Sequence, residues 1–322
     1  MDRRLFTLGA LSALVGTHLS FARDAAAQGI GTLKMMIPAN PGGGWDQTGR
    51  SLAAAMQAAK VAQSVQFDNK GGAAGTIGLA QFVNASKGDP NALMIGGMVM
   101  VGGIALNKSP VDLSMVTPIA RLTSEYVVIT VPASSPHRTL ADLLAAFKAD
   151  PGKVSWGGGS AGGTDHILIG LIARAIGADP AKINYVPFKG GGEAIAAIIG
   201  GHVTAGVSGL GEFAEQIKAG RMRALAVSSP AAIDGIPTLQ SQKVDVVLGN
   251  WRGVFAAPGI TPAQRDGLVG AVRTATESQA WKDTLVKYGW EGVFLGGDDY
   301  KRFLDDDIKR ISAIIDSLGL KK

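Results

Sequence analysis

The chain has 322 residues, a formal net charge of +5 at pH 7 and no cysteine. Without cysteine we expect no disulfides, no thiolate chemistry and no cysteine-ligated metal. The basic excess is small and contains no basic cluster interleaved with aromatic residues, so we expect no nucleic-acid partner. His137, His166 and His202 do not form an H-x-x-x-H pair, so a histidine metal site is not expected either.

The first 27 residues resemble an export signal, and we exclude them from fold reasoning. Arg3 and Arg4 precede an apolar run over residues 5–16, and three alanines at 25–27 offer a small-residue cleavage site. The apolar run is shorter than the roughly 20 residues that cross a bilayer. A twin-arginine signal and a Sec signal both fit, and either one predicts a periplasmic protein.

Short apolar runs alternate with helical patterns along the rest of the chain, which predicts an α/β fold with largely parallel sheets. The predicted strands are residues 33–37, 65–67, 93–95, 119–122, 126–131, 154–156, 183–188, 204–207, 224–227 and 253–256. The predicted helices are residues 46–59, 76–85, 140–149, 164–176, 193–199, 211–219, 262–278, 279–288 and 299–318. Thr261 before Pro262 is typical of a helix start, with an N-cap followed by proline at the first helical position.

No flexible linker separates the chain into two independent halves, so we expect two lobes joined by extended segments. Residues 126–131 and 248–255 are the candidate crossing segments. This assigns residues 28–130 and 252–322 to a discontinuous first lobe and residues 131–251 to a second lobe.

Four glycine-rich turns, each leading into a predicted helix, are the most informative local feature. They are PGGGWD at 41–46, KGGAAGT at 70–76, GGGSAGGT at 157–164 and KGGGE at 189–193, and we number them first to fourth. A helix N-terminus has unpaired backbone N–H groups and a partial positive charge, and glycine lets a ligand approach them. Such turns bind anions without arginine. We therefore expect the four turns to face one another across a cleft and to hold a small carboxylate.

The third turn leaves an enzymatic alternative open. Its residues 158–162 match G-x-S-x-G, the nucleophile turn of serine hydrolases, with Ser160 as nucleophile. A hydrolase also needs a histidine base, and only His166 and His202 follow Ser160 in the chain. Residues 157–162 also match G-x-G-x-x-G, but the next predicted strand ends at Phe188 and is followed by the basic Lys189 rather than by the acidic residue of a dinucleotide site. We expect a binding protein and no enzyme.

The same turns carry a family resemblance. The segments PANPGGGWD (38–46), DNKGGAAGTIG (68–78), PFKGGG (187–192), AGRMRALAV (219–227) and WRGVFAAP (251–258) resemble the receptors of tripartite tricarboxylate transporters, the TctC or Bug family. The resemblance runs from about residue 33 to the C-terminus. It implies a two-lobed fold like that of periplasmic binding proteins, of a type II-like arrangement, with a hinged cleft.

The resemblance also implies a site and partners. Members of the family hold a ligand carboxylate through backbone amides of the first two turns, and a turn of the second lobe that bears serine or threonine closes over it. Carried over by motif, this predicts a ligand-binding set: Gly42, Gly43, Gly44, Trp45, Asp46, Ala73, Ala74, Gly75, Thr76, Ser160, Ala161, Gly162, Gly163, Thr164, Lys189, Gly190 and Gly191. The implied partners are a di- or tricarboxylate and the membrane subunits of a transporter, with no cofactor and no metal.

Overall fold

The computed structural model describes residues 30–189 and 191–320. The predicted export signal and Gly190 therefore lie outside the described residues. Within those residues the strands are β1 (Ile30–Ile37), β2 (Ala62–Asn69), β3 (Ala92–Gly97), β4 (Thr117–Pro132), β5 (Ser155–Gly158), β6 (Asn184–Pro187), β7 (Ala205–Gly209), β8 (Met222–Val227), β9 (Gly249–Ala256) and β10 (Glu291–Gly296). The helices are α1 (Gly44–Ala58), α2 (Thr76–Ala85), α3 (Met98–Asn107), α4 (Leu140–Ala149), α5 (Thr164–Ala175), α6 (Gly191–Ile199), α7 (Leu210–Lys218), α8 (Pro262–Glu277), α9 (Gln279–Tyr288) and α10 (Gly297–Ser317).

The ten described strands form one sheet whose two halves share β4. In the first half, β2, β1 and β3 are parallel, whereas β9 runs antiparallel to both β3 and β4, and β10 runs antiparallel to β4. In the second half, β6, β5 and β7 are parallel, whereas β7 and β8 run antiparallel to β4. The α/β fold class agrees with the sequence prediction, but the sheets are mixed rather than largely parallel.

Strand β4 joins the two halves. The sequence predicts two strands at 119–122 and 126–131, and both belong to this single strand. Its residues up to Tyr126 pair in the first half, and those from Val127 onward pair in the second. The other candidate crossing segment lies mostly in β9, whose described partners are both in the first half.

Helix α3 is absent from the sequence prediction because Gly102 and Gly103 are poor helix formers. The fold uses these glycines for close packing. A Cβ on Gly102 would overlap the carbonyl oxygen of Gly162 in the third turn, and a Cβ on Gly103 would overlap the Cβ of Ala74 in the second turn. Helix α3 therefore lies directly against two of the four glycine-rich turns. Strand β10, also absent from the prediction, is short and only partly buried.

The predicted start of α8 is confirmed. The Thr261 hydroxyl accepts a hydrogen bond from the Gln264 amide, and the Gln264 side chain accepts one from the Thr261 amide. Such a reciprocal cap satisfies two of the N–H groups that a helix start leaves unpaired. Within residues 30–189 and 191–320, no helix is both long and apolar enough to cross a bilayer.

Candidate functional site

Residues of all four glycine-rich turns line one cavity of about 400 Å³. This volume is typical of sites for small molecules. The lining residues from the turns are Gly43, Gly44, Trp45, Gly72, Ala73, Ala74, Gly75, Gly159, Ser160, Ala161, Gly163, Thr164, Lys189 and Gly191. The turns come from both halves of the sheet, as the sequence analysis expects. Their contact with a ligand stays a prediction.

Four predicted site residues, Gly42, Asp46, Thr76 and Gly162, do not line the cavity, and Gly190 is not described. Asp46 is already bound within the protein, because its carboxylate accepts hydrogen bonds from the Gly42 amide, Arg50 and Asn69. Burial by itself raises the pKa of Asp46, but these hydrogen bonds outweigh it and lower that pKa.

Thr76 and Lys189 also make hydrogen bonds within their own turns. The Thr76 hydroxyl donates to the Ala73 carbonyl oxygen at 2.9 Å, which braces the second turn. The Lys189 amide donates to a Glu193 carboxylate oxygen at 3.3 Å, so this N–H group of the fourth turn has a partner in the protein. The Lys189 side chain is exposed at the cavity lining.

The second turn has a strained backbone. Ala73 and Ala74 have φ angles of 47° and 55°, in the left-handed region, where residues other than glycine cost about 1–2 kcal/mol each. Gly75 follows at φ 89°, and a Cβ there would come within 2.6 Å of the Trp45 ring. Strain of this kind concentrates at functional sites. Successive N–H groups in such a turn form a concave surface that suits an anion.

The first turn is occupied by the carboxylate of Glu212 on α7. This carboxylate accepts a hydrogen bond from the Gly44 amide at the start of α1. It also accepts one from the Ser208 hydroxyl at 3.2 Å, and its Oε1 lies 3.7 Å from Nη2 of Arg252. A Cβ on Gly191, at the start of α6, would come within 2.9 Å of Oε2. Glu212 therefore takes a position that the sequence analysis assigned to a ligand anion.

The third turn has internal acceptors as well. The Gly159 amide donates to Asp165 at 2.8 Å, and the Gly162 amide donates to Nδ1 of His166 at 3.1 Å. The His166 ring stacks on Tyr185, with ring centroids 4.4 Å apart. Because Nδ1 of His166 accepts a backbone hydrogen bond, this nitrogen cannot act as a base for Ser160.

Glu125 on β4 and Arg252 on β9 form a buried ion pair, and Arg252 also lines the cavity. Their side chains are 3% and 2% exposed, and Nη2 of Arg252 hydrogen-bonds to Oε1 of Glu125. Asn250 and Trp290 donate to the two oxygens of Glu125 at 3.2 and 2.9 Å. The Arg252 guanidinium lies 4.9 Å from the Trp290 ring centroid. We call the buried pair Glu125 and Arg252, together with the partly buried acids Asp165 and Glu212, the charge cluster.

The cluster holds carboxyl groups that titrate near neutral pH. Burial raises the pKa of Asp165 to about 7, with a smaller contribution from the charges of Glu212 and Glu125. Burial, together with the negative charge of Glu125, raises the pKa of Glu212 to about 7, although the positive charge of Arg252 opposes the shift. Perturbed carboxyls that line a cavity are candidates for ligand recognition.

Glu125, Glu212 and Arg252 are not among the site residues predicted from the sequence. A usable signal was present for two of them. Glu125 is the one acid in the largely apolar strand β4, and Arg252 is the one charged residue in β9. A charge in a buried strand needs a partner of opposite sign. Glu212 carries no comparable signal, because an acid in the first turn of a helix is ordinarily a favourable interaction with the helix dipole.

The fold and the cavity are those of a solute-binding protein, with two halves of a sheet that share β4 and a cavity lined by turns from both halves. The family model "Tripartite tricarboxylate transporter family receptor" matches residues 49–320, and the chain belongs to this family. Protein BugT of Bordetella pertussis is 28% identical over 97% of this chain and 98% of its own length.

Two solved structures from Rhodopseudomonas palustris show a similar fold. MatC, solved with bound malate, has a TM-score of 0.76 and 20% identity over 89% of this chain and 99% of its own. A second protein, solved with adipate, has a TM-score of 0.77 and 24% identity over 90% of this chain and 97% of its own. The predicted family and the predicted fold class are thereby confirmed.

Proposed function

We propose that this chain is a periplasmic receptor that captures a small carboxylate in the cavity and delivers it to the membrane subunits of a tripartite tricarboxylate transporter. The main support is the convergence of the four turns on one cavity. In this proposal residues 28–130 and 252–322 form one lobe, residues 131–251 form the other, and β4 belongs to the hinge. The export signal at 1–27 would place the protein in the periplasm. No bond is broken.

The second turn is the best candidate for the carboxylate. Its residues Ala73 and Ala74, in the left-handed conformation, line the cavity. Strained backbone of this kind is found mainly at functional sites. Ser160 and Ala161 of the third turn line the same cavity, and helix α3 contacts both turns. Hydrogen bonds to a charged group contribute about 1.5–3 kcal/mol each. Several of them supply the roughly 8 kcal/mol of a micromolar complex.

Di- and tricarboxylates are the first candidates within this class. The name of the matching family model refers to tricarboxylate transport. The two solved structures described above hold malate and adipate, which are both dicarboxylates. This support comes from the relatives, whereas the carboxylate site itself is argued from the cavity.

A thermal-shift screen of carboxylic acids, with sugars as controls, tests the proposal. A ligand at about 100 times its dissociation constant stabilises the folded state by about 2.7 kcal/mol. Ala161→Phe should remove the shift by filling the cavity, whereas Ala58→Phe, at an exposed position on α1, should leave it intact. A response to neutral compounds alone would reject the proposal. Ester hydrolysis that disappears in Ser160→Ala would favour the hydrolase instead.

A further inference from the structure

A buried arginine on the cavity wall is only partly hydrogen-bonded within the described part of the chain. Arg252 lines the cavity, and its side chain is 2% exposed. Its Nη2 donates to Oε1 of Glu125 and lies 3.7 Å from Oε1 of Glu212. Its Nη1 is buried and has no hydrogen-bond partner among the described residues. A guanidinium carries donors and no acceptor, so only an acceptor can satisfy Nη1.

The position of this unpaired donor distinguishes it from other unpaired atoms of the protein. Five buried side-chain atoms lack a partner in the described residues, and Arg252 is the one residue among their owners that lines the cavity. A buried donor without a partner is unfavourable. The cavity is therefore the place from which a ligand can supply the missing acceptor.

The guanidinium is held in place by the residues around it. Its Cζ lies 4.9 Å from the centroid of the Trp290 ring, and Trp290 itself donates to Glu125 at 2.9 Å. A Cβ on Gly44 would come within 2.6 Å of the same Cζ, so the start of α1 packs directly against Arg252. An arginine fixed in this way offers Nη1 in one direction only, which is a requirement for selecting among ligands.

The charges around Arg252 decide which kind of acceptor fits. Burial raises the pKa of both Glu212 and Asp165 to about 7, and the negative charge of Glu125 contributes to both shifts. The positive charge of Arg252 is thus already balanced within the protein. A further carboxylate at Nη1 would meet like charges at low dielectric, where repulsion is strong. An uncharged oxygen satisfies Nη1 without adding charge.

We infer that Nη1 of Arg252 binds an uncharged oxygen of the ligand, a carbonyl or a hydroxyl, and that Arg252 thereby selects oxygenated acids over their parent acids. This inference rests on the proposed function and adds a ligand-binding residue to it. A site that hydrogen-bonds a ligand oxygen discriminates strongly against an analogue without it, because the buried donor then stays unpaired. A second carboxylate of the ligand is better placed near the exposed Lys189, which also lines the cavity.

Calorimetric titration of the full chain with matched acids tests the inference. Succinate, glutarate and adipate are the parent acids, and each is compared with its hydroxy and oxo derivatives. Tricarballylate, which is glutarate with a third carboxylate, tests an added charge in place of an uncharged oxygen. We expect at least one oxygenated acid to bind about tenfold more tightly than its parent, or better, and tricarballylate to gain nothing.

A conservative variant locates the preference. Arg252→Lys keeps a positive charge for Glu125 and removes Nη1. It should abolish the gain from the added oxygen and change the affinity for the parent acid by less than about threefold. Arg138→Lys, at an exposed arginine outside the cavity lining, is the control and should leave the gain unchanged. A thermal melt without ligand reports whether each variant is folded.

A crystal structure of the wild type with the tightest oxygenated acid tests the contact without any substitution, so the inference stays testable if Arg252→Lys does not fold. The added oxygen should lie within about 3.2 Å of Nη1. An added oxygen bound elsewhere in the cavity would overturn the inference.

The outcomes separate the two proposals. If acids bind but no added oxygen strengthens binding, or if tricarballylate gains as much as the oxygenated acids, the inference is overturned and the carboxylate receptor stands. If the gain persists in a folded Arg252→Lys variant, the assignment to Arg252 is wrong. If no carboxylate of any kind binds, the proposed function fails, and the inference fails with it.

Discussion

The first and second turns have similar sequences and different environments. Both contain several glycines and lead into a helix, α1 or α2. At the first turn the Gly44 amide is bound by Glu212, and Arg252 lies beside it. At the second turn two alanines adopt the left-handed conformation and line the cavity. A glycine-rich helix start is thus only a potential anion site, and its neighbours in space decide whether a ligand or a side chain of the protein occupies it.

Substitution within the Glu125–Arg252 ion pair should cause the largest loss in the free energy of unfolding. Arg252→Met leaves Glu125 buried without a cation, and breaking a buried pair in this way costs about 3–5 kcal/mol. Urea denaturation measures the loss in unfolding free energy. The double variant Glu125→Gln with Arg252→Met should recover a large part of it. Additive losses in the double variant would show that the two residues do not stabilise each other.

Adding a methyl group should have different effects at two neighbouring glycines of the first turn. A Cβ on Gly44 would overlap the Arg252 guanidinium and approach Glu212, whereas a Cβ on Gly43 would meet no atom within 4 Å. We expect Gly44→Ala to destabilise the protein by about 1–3 kcal/mol. Gly43→Ala should change stability by no more than about 0.5 kcal/mol. Equal effects on the denaturation midpoint would contradict the packing of the charge cluster against α1.

The partly buried acid Asp165 should make the free energy of unfolding depend on pH. The pKa of Asp165 is about 7 in the folded chain and lower when unfolded, so between about pH 4 and pH 7 the folded chain binds more protons. Its contribution to stability is therefore lost as pH rises through this window. Asp165→Asn should match the wild type near pH 4 and be more stable by about 1–2 kcal/mol at pH 8. Melting curves across this range measure the difference, and a constant offset would exclude the titration of Asp165.

Substitution of alanine by glycine should give the smallest changes in stability. The sign of the change should differ between a strained and an unstrained position. Ala73 is exposed and has φ 47°, so Ala73→Gly should stabilise the second turn by about 0.5–1 kcal/mol. Ala54 is exposed within α1, where Ala→Gly should instead destabilise by about 0.5–1 kcal/mol. Thermal melts of the two variants provide the comparison. Destabilisation by Ala73→Gly would mean that the left-handed turn is not strained.

Much of the fold could be predicted from local patterns, but strand direction could not. The alternation of apolar runs with helical patterns predicted most elements, and the cap at Thr261 predicted the start of α8. Strand β4 shows the limit, because two predicted strands are one continuous strand whose described neighbours in both halves run antiparallel to it. The composition of an apolar run does not reveal whether the strand runs parallel or antiparallel to its neighbours.

The same limit applies to the candidate site. The glycine turns and the resemblance were sufficient to predict which turns surround the cavity. They were insufficient for Glu125 and Arg252, which are 127 residues apart in the chain and meet only because β4 and β9 are adjacent. Gly42 and Gly162 were predicted to bind ligand, yet their amides donate to Asp46 and His166.

The sequence by itself determined the family, the α/β character and the four turns, because these depend on glycine, on hydrophobic period and on motif order. The tertiary structure decided which amides already have partners within the protein and which charges are paired. Every glycine-rich turn offers the same backbone N–H groups to an anion. Folding decides whether a side chain of the protein already takes them, as Glu212 does at the first turn.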